Sequence, residues 1–247
     1  MRPLATLPRA WPAPELPGYR QHPDEYATYS TFAYDELPPV GRRLDDDLHW
    51  LLREPLVTPS LAETDEAATT PATEEALERL LAGQQVTLPR AFAAFIRSGG
   101  LRARVRSCTD CYLDLADFAV PVASGGWLIH FLSDSQWVLH WLLYCGTDGG
   151  EAVVATPRPL GFELEADGDE ATVRVFDPAA GAAVCAESFS EFLYRFWIEN
   201  EIWFRRSGVD GPVRRLTAEQ RRYVEHYARR TPAQRAAPER ERYDADA

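Results

Sequence analysis

The sequence predicts an α+β fold: a single domain whose mainly antiparallel sheet of about five strands is packed by flanking helices, with an N-terminal extension. Three observations predict it. Ser188 to Phe204 is the most aromatic stretch of the chain, and its apolar residues recur at helical spacing. Trp127 to Leu132 and Gln136 to Tyr144 are apolar runs bracketing Ser133-Asp134-Ser135, the pattern of a hairpin. The patterns run helix, helix, strands, helix, helix, and the turns between strands are short, which joins strands antiparallel.

Residues 1–71 read as an extension and linker. Prolines at 3, 8, 12, 14, 17, 23, 38 and 39 exclude a long helix. Trp11, Tyr19, Tyr26, Tyr29, Phe32 and Tyr34 are too many aromatics for a disordered segment, and they suit an arm lying on a folded body. Arg42 to Arg53 has the spacing of a short helix with Leu44, Leu48, Leu51 and Leu52 inward, ended by Pro55 and Pro59. Leu61 to Thr73 is a linker of small and acidic residues.

Residues 72–230 form the expected domain. Thr73 to Leu81 predicts a helix with Ala76, Leu77, Leu80 and Leu81 inward and Gly83 past its end. Leu88-Pro89 opens another, with proline in the first turn, where no N–H is needed. Phe92, Phe95 and Ile96 are its buried face, and Gly99-Gly100 its stop. Strands follow at Trp127 to Leu132, Gln136 to Tyr144 and Glu151 to Thr156, the last after the turn Asp148-Gly149-Gly150. Phe162 to Glu165 and Thr172 to Phe176 flank a turn at Asp167-Gly168-Asp169. Trp127 to Tyr144 is apolar on both faces, so this hairpin is expected at the centre of the sheet, covered on both sides.

Ser188 and Glu191 form a capping box at the start of the aromatic helix. Phe189, Phe192, Leu193, Phe196 and Trp203 make one apolar face, and Tyr194, Ile198 and Ile202 a second. Only a stripe through Glu191, Arg195 and Glu199 is left for water, its charges alternating at i, i+4. Asn200 falls on the apolar side and is expected to be buried and hydrogen-bonded, pinning a strand end. Arg205 to Arg215 is a basic loop. Thr217 and Gln220 form a second capping box, opening a helix to Arg229 with Tyr223, Val224 and Tyr227 inward. Residues 231–247 read as a polar tail.

Of 247 residues, 45% are apolar, enough for a core, and 38 acids against 26 arginines leave a net charge of −12. The complete absence of lysine reads as the coding bias of a GC-rich, bacterial genome. Acidity argues against a nucleic-acid partner, since phosphate neutralisation needs a basic surface. It suits a basic protein partner. The N-terminus lacks a signal-peptide core and no apolar run has membrane length, so a cytoplasmic location without a membrane partner is expected. Its cysteines are expected to be reduced.

Cys108 and Cys111 form a C-x-x-C, half of a zinc site or a redox pair. Cys145 and Cys185 are distant in sequence and no second ligand pair follows, so the favoured reading is two cysteines in a tight strand-entry turn, with no metal. His130 and His140 flank the hairpin turn. A three-residue loop would put them on one face, and a two- or four-residue loop on opposite faces. Satisfied strand histidines are the favoured reading. No nucleophile elbow, phosphate loop, zincin or dinucleotide motif occurs, so no catalytic residue and no cofactor is assigned. Neighbouring residues on a helix diverge by about 100°, so Glu199 and Glu201 cannot face one substrate. Two alternatives stay open: an enzyme whose site is assembled around Asp110, Asp114, His130 and Arg195, and a scaffold that self-associates through the arm.

Three motifs carry a resemblance. They are the helix opening Leu88-Pro89-x-x-Phe92-x-x-Phe95, the strand lead Gly125-Gly126-Trp127, and the late helix opening Ser188-Phe189-Ser190-Glu191-Phe192. Across residues 85–205 the chain resembles the SUKH superfamily, the Smi- and Knr-like domains. Ser98-Gly99-Gly100 stands where an Asn-Gly-Gly type turn is usual, and the tryptophan-rich hairpin and the arm are not typical of it. The resemblance implies an α+β domain without catalysis. In bacteria such proteins are commonly immunity proteins that bind and neutralise a toxin of the same strain.

Overall fold

The computed structural model describes residues 4–21, 27–40, 44–63, 70–123, 125–160 and 181–234. The expected hairpin from Phe162 to Phe176 and most of the expected polar tail lie outside them. Two short strands, β1 (Ala10–Ala13) and β2 (Ser30–Ala33), pair antiparallel in the arm. Three helices follow: α1 (Thr70–Ala82), α2 (Arg90–Arg97) and α3 (Gly99–Arg102). The main sheet contains β3 (Tyr112–Leu113), β4 (Val120–Pro121), β5 (Trp127–Ser133), β6 (His140–Cys145), β7 (Glu151–Thr156) and β8 (Ala183–Ala186). Then come α4 (Phe189–Ser207) and α5 (Ala218–Gln234). The strand order is β3-β5-β6-β7-β8, with β4 on the other end of β5, and every pairing is antiparallel. The fold is α+β, as the sequence predicts.

The sheet has two apolar faces because β5 and β6 are apolar at nearly every position. Ile129, Phe131, Trp141, Leu143 and Val153 join the core under α2 and α4. There Phe92 and Phe131 meet Phe189 with ring centroids 5.1 and 5.6 Å apart. Leu128, Leu142, Tyr144, Ala152 and Val154 form a second cluster on the outer face, covered by Leu7 of the arm. The central hairpin is therefore covered on both sides.

The expected water stripe on α4 is a correction. Glu191, Arg195 and Glu199 are all buried. Arg20 reaches Glu199 through two nitrogens, at 2.8 and 2.7 Å. The Trp11 indole and the Tyr223 hydroxyl donate to the same carboxylate, at 2.9 and 2.8 Å. Two turns earlier, Tyr34 donates to Glu191 at 2.7 Å, and Arg195 donates to Glu191 and to the Pro38 carbonyl. Of these partners Trp11, Arg20 and Tyr34 come from the arm, far away in sequence, at a separation of 179 for Arg20 and Glu199. Local periodicity reads any charged stripe as solvent-facing; here the stripe is the seam along which the arm is clamped. Leu16, Leu37, Leu48 and Leu51 join the same core as α4.

Smaller corrections have local causes. Of the expected helix Arg42 to Arg53, the described residues 44–53 form only a 3-10 turn at Leu51–Arg53, because Leu48 takes a left-handed φ of 54° that no helix tolerates, and Leu52 is turned outward. In α1, Leu80 faces solvent and Glu74 is buried against Arg97 instead. Pro89 caps α2 from outside it. Gly99-Gly100 open α3, since Ser98 breaks α2 and then accepts a hydrogen bond from the Leu101 N–H. The hairpin connection is residues 134–139 and not Ser133 to Ser135, with Asp134 N–H bonded to Leu139 O and Trp137 at φ 59°. Trp203 is only partly buried. The capping box of α4 is shifted by one residue: Ser188 accepts from the Glu191 N–H, but Glu191 accepts from Glu187 N–H. The Thr217 and Gln220 box of α5 is reciprocal, at 2.9 and 3.2 Å.

Arg20→Ala strands the buried Glu199 carboxylate, and breaking such a pair costs about 3–5 kcal/mol. Urea unfolding should record that loss, and a chain lacking residues 1–40 should lose stability at least as severely. An unchanged unfolding midpoint for Arg20→Ala would contradict the clamp.

Candidate functional site

A buried polar knot on the outer face holds the densest chemistry among the described residues. Its geometry starts from a β-bulge in β5, where the register shifts between His130 and Leu132. Phe131 and Leu132 both join the helix-side core. The bulge thereby returns Ser133 to the side of His130, opposite His140 on β6. The bulge, and not the length of the loop, brings the two histidines to one face, their ring centroids 5.2 Å apart.

Ser133 Oγ lies 2.8 Å from His130 Nε2 and 2.9 Å from His140 Nδ1, and donates to Asp114 Oδ2 at 2.7 Å. Asp114 follows β3 and is positioned by its N–H bond to Phe131 O. A hydroxyl has one proton and two lone pairs, so this set saturates it. The network assigns the imidazole protons to His130 Nε2 and His140 Nδ1, both donating to Ser133. His130 Nε2 also lies 3.2 Å from Leu132 O and 3.7 Å from Asp114 Oδ2. His140 Nε2 is buried with no hydrogen-bond partner, which an acceptor bears better than a second N–H.

Burial holds both imidazoles below the ordinary histidine range. For His130, the Asp114 carboxylate opposes that shift and His140 reinforces it. For His140, the Trp137 carbonyl and the carboxylates of Asp114 and Asp134 oppose it. Ser133 and His140 are wholly buried, and only Asp114, with its side chain 32% exposed, meets solvent. A serine nucleophile must give its proton to a base and meet its substrate. Ser133 gives its proton to a carboxylate and meets nothing outside the knot. The three ligand-type atoms converge on a point that the serine oxygen already fills. Among the described residues, no group of three or more His, Cys, Asp or Glu could hold a metal ion.

The enzyme alternative is thus divided. Asp114 and His130 meet, but Asp110 is an exposed turn residue at φ 52° and Arg195 lies in the α4 seam. Ser133, read in the sequence as part of a turn, belongs to β5; a bulge leaves no mark in the pattern of a single sequence. Cys108 and Cys111 are free thiols in the turn before β3. Burial pushes the Cys111 thiol up to about 11 and raises Cys108 as well, so neither is a ready nucleophile. Asn200 is buried as expected: its Oδ1 accepts from Cys108 N–H at 2.6 Å and its amide donates to Phe196 O, pinning the approach to β3. Over the knot, residues 134–139 present Trp137 and Val138, each 47% exposed. The Trp137 indole donates to Tyr112 and its ring meets His140 edge-on.

No protein-family model matches the chain, and neither curated proteins nor solved structures include a significant match. Among the described residues, no helix is long and apolar enough to cross a membrane.

Ser133→Ala removes the acceptor of two buried N–H groups and should cost about 1–3 kcal/mol in urea unfolding. A fluorophosphonate probe should leave Ser133 unlabelled; covalent labelling would establish a reactive serine. In an NMR titration both imidazoles should show midpoints below about 6.5, the unfolded value. The unfolded chain then binds more protons as pH falls below that value, so this contribution to stability is complete above it and declines through the folded midpoints. A midpoint above the unfolded value would contradict the network.

Proposed function

We propose that the protein is a non-enzymatic binding module for a basic protein partner, of the immunity type that neutralises a toxin of its own strain. One observation carries the reading: three buried arginines are each paired with a buried carboxylate, while a set of aspartates among the described residues faces outward. Arg20, Arg106 and Arg195 are buried against Glu199, Glu201 and Glu191. Asp45, Asp46, Asp47, Asp117 and Asp148 are exposed, in a chain of net charge −12. A surface of that sign attracts basic proteins over distance and repels nucleic acid.

The resemblance to the SUKH superfamily supports the same reading. Phe92 and Phe95 of the helix opening pack on Phe189 of the late helix, at 5.1 and 5.7 Å between ring centroids, so two of the motifs belong to one core. Among the described residues, the contact of Asp114 and Ser133 with His130 favours the enzyme alternative, and the saturation of Ser133 weighs against it. Self-association through the arm needs an arm that is free, whereas Trp11, Arg20 and Tyr34 are spent on α4.

Capture with the tagged full chain from native lysate, washed at low and high salt, tests the proposal. The expected result is a stoichiometric basic polypeptide released by salt, whose association rate falls as ionic strength rises. A specific partner that is acidic, or whose association rate ignores salt, would contradict it.

A further inference from the structure

The chain has seven tryptophans, all within the described residues. Trp11, Trp50, Trp141 and Trp197 are buried, and Trp127 and Trp203 half-buried; Trp137 alone is exposed, at 47%. It also sits at φ 59°, the left-handed region where a turn ordinarily takes glycine or asparagine and a bulky residue is disfavoured. Leu48 takes a similar φ, but it is wholly buried, and its burial offsets the strain. The exposed half of the Trp137 side chain gains no such burial. The ring is nevertheless held in place: the indole donates to the Tyr112 hydroxyl at 2.7 Å and the ring meets His140. Val138 beside it is equally exposed. Two carboxylates flank this pair. Ser135 donates to Thr109 O, which brings the loop against the turn that holds Asp110, an exposed residue with no ion-pair partner among the described residues. Tyr112 stands opposite Ser133 in the register. Asp114, two residues on, shares its face about 7 Å along the strand. It accepts from Ser133 and is part-exposed.

We propose that the tip of residues 134–139, with Trp137 and Val138 set between Asp110 and Asp114, is the surface that receives an arginine-bearing segment of the basic partner; that the partner is basic rests on the function proposed above. A guanidinium is planar, so it can lie on the indole face while its edge donates to a carboxylate, whereas the compact ammonium of lysine has no face to stack. Asp110 and Asp114 supply the carboxylates. Asp114 gives one oxygen to Ser133 and, ionised, keeps acceptor sites to spare. Val138 offers apolar ground to the arginine stem. The bond to Tyr112 fixes the indole before the partner arrives, so less freedom is lost on binding. Charge complementarity selects this occupant over an acidic or neutral segment.

The surface is tested on the full chain with tri-arginine as the probe, followed by amide NMR shifts of Ser135, Gln136 and Val138, with tri-lysine and tri-glutamate as comparisons. Tri-arginine should move these amides, tri-lysine should bind more weakly, and tri-glutamate should leave them in place. Trp137→Gly, which suits the left-handed backbone, should weaken tri-arginine about fivefold, the worth of one part-exposed cation–π contact. Asp110→Asn, which keeps a residue at home at the φ of 52° found there, is a second variant and should weaken it in the same direction. Tri-arginine binding left unaltered by both variants, or shifts confined to other parts of the chain, would overturn the surface. So would a Trp137→Gly chain in which the His140 titration midpoint moves and tri-arginine binding does not, because the ring would then be only a lid on the knot. The variants also separate the two proposals. A basic partner captured equally by wild type and by both variants overturns the surface and leaves the proposed function standing. Tri-arginine seated at Trp137 and weakened by both variants, with no basic partner captured, supports the surface and removes the proposed function.

Discussion

The carboxylate of Glu199 is the constraint on which the rest of the structure depends. It is buried in the middle of α4, on a helix that is apolar over most of its surface. An isolated charge there would not be tolerated. Burial alone would push the Glu199 carboxyl up, but Arg20, with Trp11 and Tyr223 donating, more than offsets it and holds the carboxyl below its ordinary range. Each of those donors comes from a different place: Trp11 from β1, Arg20 from the turn beyond it, Tyr223 from α5. One acid thus gathers the arm, the central helix and the last helix. The Tyr34, Glu191 and Arg195 group repeats the device nearer the start of α4, and Arg106 with Glu201 and Asp210 repeats it nearer the end.

How much of this was legible in the sequence follows from which interactions are local. The existence of α4, the buried face of α2 and the box that starts α5 depend on spacing within a few residues, and they were readable. The strands β5 and β7 were also readable, since β-branched, leucine and aromatic runs bounded by glycine and aspartate have few other solutions. The seam on α4 was not readable, because Trp11, Arg20 and Tyr34 reach Glu199 and Glu191 from the far end of the chain. Leu80, expected inward, is turned out, and the burial of Glu74 was not readable for the same reason: Arg97 on the neighbouring helix gives it a partner. The strands β3 and β4 are too short to carry any alternation, and β1 and β2 are hidden among prolines that rightly exclude helix but say nothing of sheet.

The candidate site shows the same division. His130 and His140 were visible as a pair with an undecided register. The bulge that decides it is a tertiary choice, made because Phe131 and Leu132 both gain the aromatic core under α2 and α4. Ser133 is carried to the histidines as a consequence. Packing thus places one hydroxyl between two buried imidazoles and a carboxylate.

The claim that the arm is core, not an appendage, is tested most directly by native-state hydrogen exchange of the Trp11 indole N–H. That proton is bonded to Glu199 at 2.9 Å. It should exchange only with an opening free energy close to that of the α4 amides, because releasing it uncovers the buried carboxylate. Exchange at the rate of an exposed loop, with α4 still protected, would mean that the arm leaves α4 freely and that Glu199 is not the point that holds the fold together.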